Sequence, residues 1–324
     1  MHSITRISTT FQATQTIKWP HFAGSTLRGA FGRALRQATC ISGQEKCTGC
    51  PLRNSCAYGV VFDPAAAAQP LHPSFRDGLP RYVVQPHSMG ASTIASGKTQ
   101  SFDLLLLPGT QAHHGLIEHT LRNAVEKELF KPGLFKFLNT QVSQIPVPLL
   151  AASENTSDSA APETPAPSQV MRQATSQITL HWQTPLRLQH KGKPIFKPHG
   201  LDAPTLVRAL LRRQLQWCQI SGQTAPAPQA HLEAAHLCKT DTRDMAWHDL
   251  QRFSSTKNEK LPLGGLVGNT TLMGPQNALK TLLPLLQLGE QLHIGKETVM
   301  SLGRYRLSAD EKTHPQATEH LIDG

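Results

Sequence analysis

The sequence predicts an α+β fold in which one β-α-β-β-α-β pattern runs twice along 324 residues. Three observations point there. Strand-like alternation and helix-like periodicity follow one another in the same order on either side of a break. The break, 151–168, is rich in Ala, Ser, Thr and Pro and has neither periodicity nor aromatics. The length suits two domains of ordinary size. The repeated order is that of a ferredoxin-like unit, a four-stranded antiparallel sheet with two helices on one face. The expected division is an N-terminal unit over 1–150, a disordered linker over 151–168, a C-terminal unit over 169–307 and a flexible tail over 308–324.

In the first unit, Ile4, Ile7, Phe11, Ala13 and Ile17 alternate as one strand with a bulge. Ser25 is the expected N-cap of a helix whose buried face is Leu27, Ala30, Phe31, Ala34 and Leu35. Arg28, Arg33 and Arg36 fall on its other side, and Gly29 and Gly32 lower its intrinsic propensity. Residues 40–58 read as a loop. Strands are expected at 82–84, 101–107 and 141–150, and a helix at 114–130. In the second unit, strands are expected at 177–189, 245–254 and 264–271. One helix starts at Pro204 and continues through Trp217; another runs from Pro275 to Leu288. The final strand closes the stretch from Gly289 to Leu307.

A net charge of +10 suggests a polyanionic partner. No apolar run approaches the roughly 18 residues of a membrane span, and the N-terminal residues lack the layout of a signal peptide. A cytoplasmic protein without a membrane partner is therefore expected. In that reducing compartment, disulfides are not expected among the six cysteines.

The loop from Gly289 to Leu307 carries Gly295, Lys296, Gly303, Arg304 and Arg306. Its Gly-Lys pair does not make a nucleotide-binding P-loop. Gly289 stands one residue too far upstream, and Glu297 replaces the metal-binding hydroxyl and would repel phosphate. Glycines beside cations suit a polyanion backbone instead. Arg208, Arg212 and Arg213 project from the buried face of their helix, and Arg252 and Lys257 lie in a segment expected to border an RNA groove. Singly, each of these, like Arg28, Arg33 and Arg36, suits a solvated surface; together, with the charge of +10, a share of them and Arg304 are expected to touch RNA phosphates. Trp247 and Phe253 suit base stacking or core packing.

Cys40, Cys47, Cys50 and Cys56 lie within seventeen residues around a C-x-x-C core. Four soft ligands in one loop suit a structural zinc ion, with an iron–sulfur cluster or unligated thiols as alternatives.

A longer signature joins these features. Phe22-Ala23-Gly24-Ser25-Thr26-Leu27-Arg28-Gly29-Ala30-Phe31-Gly32 is followed by the four-cysteine loop, Cys56-Ala57-Tyr58 and Val61-Phe62. Far downstream come Trp247-His248-Asp249, Arg252-Phe253-Ser254, Leu263-Gly264-Gly265-Leu266-Val267-Gly268 and the terminal loop. In order and spacing, this set resembles the CRISPR repeat-processing endoribonucleases of the RAMP superfamily, here with a four-cysteine loop added. The resemblance implies tandem ferredoxin-like (RAMP/RRM-like) domains and cleavage of precursor CRISPR RNA within its repeats, with no metal in the chemistry. It implies RNA contact by Gly295, Lys296, Ser301, Leu302 and Gly303, and retention of the repeat hairpin within an effector complex.

RNA supplies its own nucleophile, the 2′-hydroxyl, so the protein must move protons and hold charge. The family takes its histidine from the region of the first helix, but this sequence has none between Ala23 and Leu71. His21, at the entry to that helix, is the nearest candidate for the general base, with Tyr58 and Lys46 in support; His72 and His87 follow. The missing histidine motivates a second reading, a non-catalytic RNA-binding RAMP subunit of an effector complex. The cysteines and the charge motivate a third, a zinc-stabilised DNA-binding protein.

Overall fold

The computed structural model describes residues 3–75, 78–88, 90, 92–147, 176–190, 192–254 and 259–309. The expected linker, Lys257 and all of the tail beyond Ala309 lie outside them.

The first half opens on β1 (Ser3–Ala13) and β2 (Ile17–Trp19). The single strand expected there is thus two, parted at 14–16, and the expected bulge falls between Thr10 and Phe11. Next come α1 (Gly24–Thr39), α2 (Ala57–Val61), β3 (Tyr82–Pro86), β4 (Ser92–Ile94), β5 (Thr99–Leu106), α3 (His114–Asn123) and β6 (Phe135–Pro146). A π-helical turn, Ala124–Glu128, prolongs α3. The principal strands pair antiparallel in the order β3-β5-β1-β6.

The second half holds β7 (Gln177–Leu186), β8 (Gln189–His190), β9 (Lys193–Pro194), α4 (Ala203–Ser221), α5 (Gln229–His236), β10 (Lys239–Asp241), β11 (Ala246–His248), β12 (Gln251–Ser254), β13 (Glu259–Pro262), β14 (Gly265–Met273), α6 (Gln276–Leu292) and β15 (Tyr305–Ala309). Its sheet runs β10-β14-β7-β15, with β11 also paired to β14. With strands numbered within each unit, both sheets have the order 2-3-1-4, so both are ferredoxin-like.

Three differences from expectation have local causes. Ala23, not Ser25, caps α1, and no side chain caps it. The helix starts two residues early, where Gly24 lets its backbone meet another segment: a Cβ there would lie 2.0 Å from the Met300 carbonyl oxygen. The strand expected at 245–254 divides between β11, on the sheet, and β12, which pairs only with β13 in a separate hairpin. Finally, Ala57–Val61 is helical where a loop was expected, and Ala57 and Val61 are buried.

Alternation along β1 directs Ile7, Phe11 and Ala13 to one face, where they pack with Leu27, Phe31 and Leu35 of α1 and Ile117 and Leu121 of α3. The opposite face carries Ile4, Val83, Leu105 and Leu107, which pack on Trp217 and Cys218 of α4 and Leu288 and Leu292 of α6. The first sheet is therefore covered on both sides, once by its own helices and once by those of the second unit. Burial of this kind contributes roughly 25 cal/mol per Å² of apolar surface, which holds the two units together. In α4, Asp202 accepts from the Thr205 backbone N–H at 2.8 Å and caps the helix, with Pro204 in the first turn as expected.

Candidate functional site

Among the described residues, the loop between α6 and β15 holds the most non-glycine positions of positive φ. Four described non-glycine residues have positive φ, and three of them are His293 (61°), Glu297 (60°) and Ser301 (76°). Such residues persist only where their surroundings over-determine them, and they cluster at functional sites. The surroundings here are specific. The Thr184 hydroxyl donates to the Ser301 carbonyl at 2.6 Å, and the Ile294 N–H donates to the Gly303 carbonyl at 3.1 Å. A Cβ on Gly303 would stand 1.8 Å from the Ile294 carbonyl oxygen. His293 is fully buried and meets the Gln85 amide at 2.7 Å. Burial, then the charges of Arg304, Arg213 and Arg306, keep its pKa far below the ordinary histidine value.

One end of this loop reaches the entry to α1. Met300 and Leu302 pack with Phe22, Leu263 and Leu250. His21 precedes Phe22, and its ring stacks on that of His248, at the end of β11, with centroids 5.2 Å apart. Burial and the charge of His248 lower the His21 pKa, which keeps the ring neutral at pH 7. Its Nδ1 is buried without a hydrogen-bond partner. A neutral imidazole beside the strained loop can accept a proton.

The other end lines a cavity of about 800 Å³. Gly295 and Lys296 form one wall, and Arg187, Arg208, Arg212, His72 and His190 stand around it with no carboxylate among the lining residues. Asp202, whose charge is felt by Arg208 and His190, acts as the α4 cap. A Cβ on Gly295 would lie 2.5 Å from the Arg187 carbonyl, which also accepts from the Lys296 N–H at 2.9 Å. Arg212 lies over the Phe75 ring at 5.7 Å. Cations without competing anions suit a phosphodiester backbone.

A third polar site lies in a cleft between the two sheets, a cavity of about 320 Å³ lined by Arg6, His87, Asp103, Thr184, Arg304 and Arg306. His87 Nε2 is 2.9 Å from Asp103, and the Ser8 hydroxyl donates to the same carboxylate at 2.7 Å. Burial works against the charged form of Asp103, but His87, Ser8 and Arg6 outweigh it and hold its pKa below the usual value.

Several expected contacts need correction. Arg33 is held by Glu128, at 2.6 Å to its carboxylate and 2.7 Å to its carbonyl. Arg213 lies in the cavity wall, but its guanidinium is buried and donates to the Leu292 carbonyl and to Gln216; desolvation lowers its pKa to about 10. Ser301, Leu302 and Gly303 are buried, so they shape the loop while Lys296 faces outward. Arg28 lies 4.7 Å over the Phe62 ring, and Arg36 donates to the carbonyls of Gln44 and Glu45 and lies over Tyr58. Arg304 is half-buried and donates weakly to the Pro86 carbonyl at 3.4 Å. Arg252 sits on the β12–β13 hairpin. Trp247 packs on the second core and donates to Asp249, so the core role holds; the Phe253 side chain is outside the described set.

His21, Tyr58 and Lys46 do not form one constellation. Tyr58 is half-buried, stacked on Phe62 at 5.0 Å, with its pKa raised by desolvation. Lys46 is exposed beside it, in the segment that Arg36 ties to the last turn of α1. His21 is at the opposite end of a sixteen-residue helix, about 24 Å long. Residues that the sequence did not single out are Arg6, Arg187, Asp103 and His248 as the partner of His21. The polar outward alternation of β1 was the one available signal for Arg6; the others depend on long-range pairing.

Residues 180–305 match the family model of the CRISPR-associated endoribonuclease Cas6. The second unit of the chain is thus similar to the Cas6 endoribonucleases over 126 of its 324 residues. Residues 2–156 match a second model, described as an N-terminal domain. No curated relative matches. Among solved structures, a Cas6–RT–Cas1–Cas2 complex matches at 15% identity and TM-score 0.54, over 96% of this chain and 47% of that one. A second such complex is covered over 29% of its chain. The chain thus spans less than half of these two matched chains. A Cas6 product complex matches at 14% identity and TM-score 0.51, over 95% and 100% of the two chains. Thermus thermophilus Cas6 matches at 12% identity and TM-score 0.51, over 95% and 99%. At these identities the likeness concerns the fold, and that fold is the tandem ferredoxin-like one derived above.

Proposed function

We propose that this chain is a Cas6-type endoribonuclease that cleaves precursor CRISPR RNA within its repeats, with His21 as the general base and no metal in the chemistry. His21 accepts the 2′-hydroxyl proton. The 2′-oxygen bonds to phosphorus, the bond to the 5′-oxygen breaks, and that oxygen takes up a proton, leaving a cyclic phosphate and a 5′-hydroxyl. The observation that supports this reading is the convergence at the entry to α1. A neutral histidine and the strained loop meet there through Gly24, Phe22 and Met300. The same loop lines the basic cavity with Gly295 and Lys296, so it links the cation cluster to the entry of α1. The product hairpin stays bound and joins other subunits of an effector complex. The protein acts in the cytoplasm; no helix among the described residues is long and apolar enough to cross a membrane.

The test is incubation with the repeat hairpin RNA in EDTA, against a substrate carrying a 2′-deoxy group at the scissile position. Cleavage of the all-RNA substrate alone is expected. A second reading, RNA binding without catalysis, is favoured by one observation: among the described residues no carboxylate pairs with His21, whose Nδ1 lacks a partner. Tight binding of both substrates with neither cut would select it. Preference for duplex DNA would overturn both readings and favour a zinc-stabilised DNA-binding protein.

A further inference from the structure

The segment between α1 and α2 has an unusual interior. From Cys40 to Cys56, every residue is exposed except Cys40, Cys47, Cys50, Arg53 and Cys56. Its large apolar side chains point outward: Ile41 is 86% exposed and Leu52 38%. Apolar burial therefore does not order it, although ordering a chain costs backbone entropy. What faces inward is sulfur. All four cysteines line one cavity of about 20 Å³. That is room for a single ion or water.

The backbone suits a metal turn. The Cys50 N–H donates to the Cys47 carbonyl at 3.1 Å, and Gly49 takes a left-handed φ of 80° between them. The Arg53 N–H donates in turn to the Cys50 carbonyl at 3.1 Å. A C-x-x-C bend of this kind supplies two tetrahedral ligands from one turn. The charge also suits it. A zinc tetrathiolate carries two negative charges; Arg36 and Arg53 flank the cysteines and favour it, whereas the Asp63 carboxylate beside Cys47 opposes it and is itself paired to Arg53 at 3.0 Å. As they stand, no three of the described His, Cys, Asp and Glu side chains are grouped closely enough to hold an ion. Ligation therefore requires the four sulfurs to close on the cavity they share, to the roughly 2.3 Å of a zinc–sulfur bond.

We infer that Cys40, Cys47, Cys50 and Cys56 bind one structural zinc ion that takes the place of a hydrophobic core in this segment. The inference is independent of the RNA reading. The ion sits at the opposite end of α1 from His21 and orders the loop that carries Lys46.

The test uses the full chain, purified without added metal. Elemental analysis is expected to give one zinc per chain. An organomercurial that caps thiols is expected to release it, as read by a chromogenic zinc chelator. Cys47→Ser and Cys50→Ser are expected to lower the zinc content and to speed tryptic cleavage at Lys46 and Arg53. The controls Cys218→Ser and Cys238→Ser, in the second unit, leave the zinc in place. Absence of metal, iron with inorganic sulfide, or zinc retained in all the loop variants would each overturn the inference. The mercurial release reads the unmutated protein and so does not depend on the variants folding.

Discussion

The two units of this chain make the same connection, from their second helix to their fourth strand, in different ways. In the first unit it is short and exposed. Phe130 takes a φ of 63° and is 42% exposed, and a Cβ on Gly133 would meet nothing within 4 Å. In the second unit it is long and buried, with His293, Glu297 and Ser301 left-handed and Ile294, Met300 and Leu302 inside. All four described non-glycine residues of positive φ lie in these two equivalent places. A left-handed step thus suits the fold at this point, while the long strained version is particular to the second unit. Only that version reaches across the molecule, from the basic cavity to the entry of α1. The duplicated topology is scaffold, and the difference between its copies lies at the proposed site.

Glycine substitutions should break this comparison most visibly. Gly303→Ala would set a Cβ 1.8 Å from a backbone oxygen, at an expected cost of about 3 kcal/mol or more. Gly24→Ala would push the loop off α1, so RNA cleavage should be lost even where the protein stays folded. Gly133→Ala, in the exposed counterpart, should cost about 1 kcal/mol and leave cleavage intact. Thermal melts and single-turnover cleavage check all three. Equal effects at Gly24 and Gly133 would remove the contrast.

Next in size is the cavity. Replacing Arg208, Arg212 and Lys296 with Gln should weaken RNA binding and lower the slope of log affinity against log salt by roughly 2. Replacing Arg33 and Arg213 should leave that slope unchanged, because their donors are committed within the protein. Binding titrations at several salt concentrations read both.

The pH effects are smaller. His293 is buried with a depressed pKa, so below about 6.5 the unfolded chain takes up a proton that the folded chain refuses. Stability is therefore present above that pH and is lost as pH falls, by up to about 1.4 kcal/mol per pH unit. Denaturant midpoints between pH 7 and 5 should show it. For cleavage, the acid limb should inflect below the ordinary histidine value, because burial and His248 both lower the His21 pKa. His248→Ala removes the second cause and should move the inflection upward.

Much of the fold was legible because its main elements are amphipathic. Alternation in β1 and the apolar stripes of α1, α4 and α6 were sufficient to give the duplicated order. Three elements were not. β6 begins six residues before the expected strand, because most of this edge strand is exposed and its pattern is polar. α5 is short and half-exposed, with Ala234 and Ala235 as its buried residues. The expected strand at 245–254 splits, because β12 pairs with β13 and not with the sheet. The site was legible as types and not as groupings. The glycines, Lys296 and His21 stood out in the sequence. Which arginines face solvent depended on partners far along the chain, as Arg33 with Glu128 and Arg213 with Leu292 show. The His21–His248 stack joins the two units and has no local signature.

The proposed cleavage depends on proton transfer at the junction of His21 with the strained loop. Single-turnover cleavage of the repeat RNA by His21→Ala, measured beside RNA affinity and beside His87→Ala, tests it most directly. The expected result is a loss of about 10²-fold or more in rate for His21→Ala, with affinity unchanged and His87→Ala nearly as fast as the unmutated protein. Undiminished cleavage by His21→Ala, or its loss in His87→Ala alone, would move the chemistry to the cleft between the sheets and contradict the account.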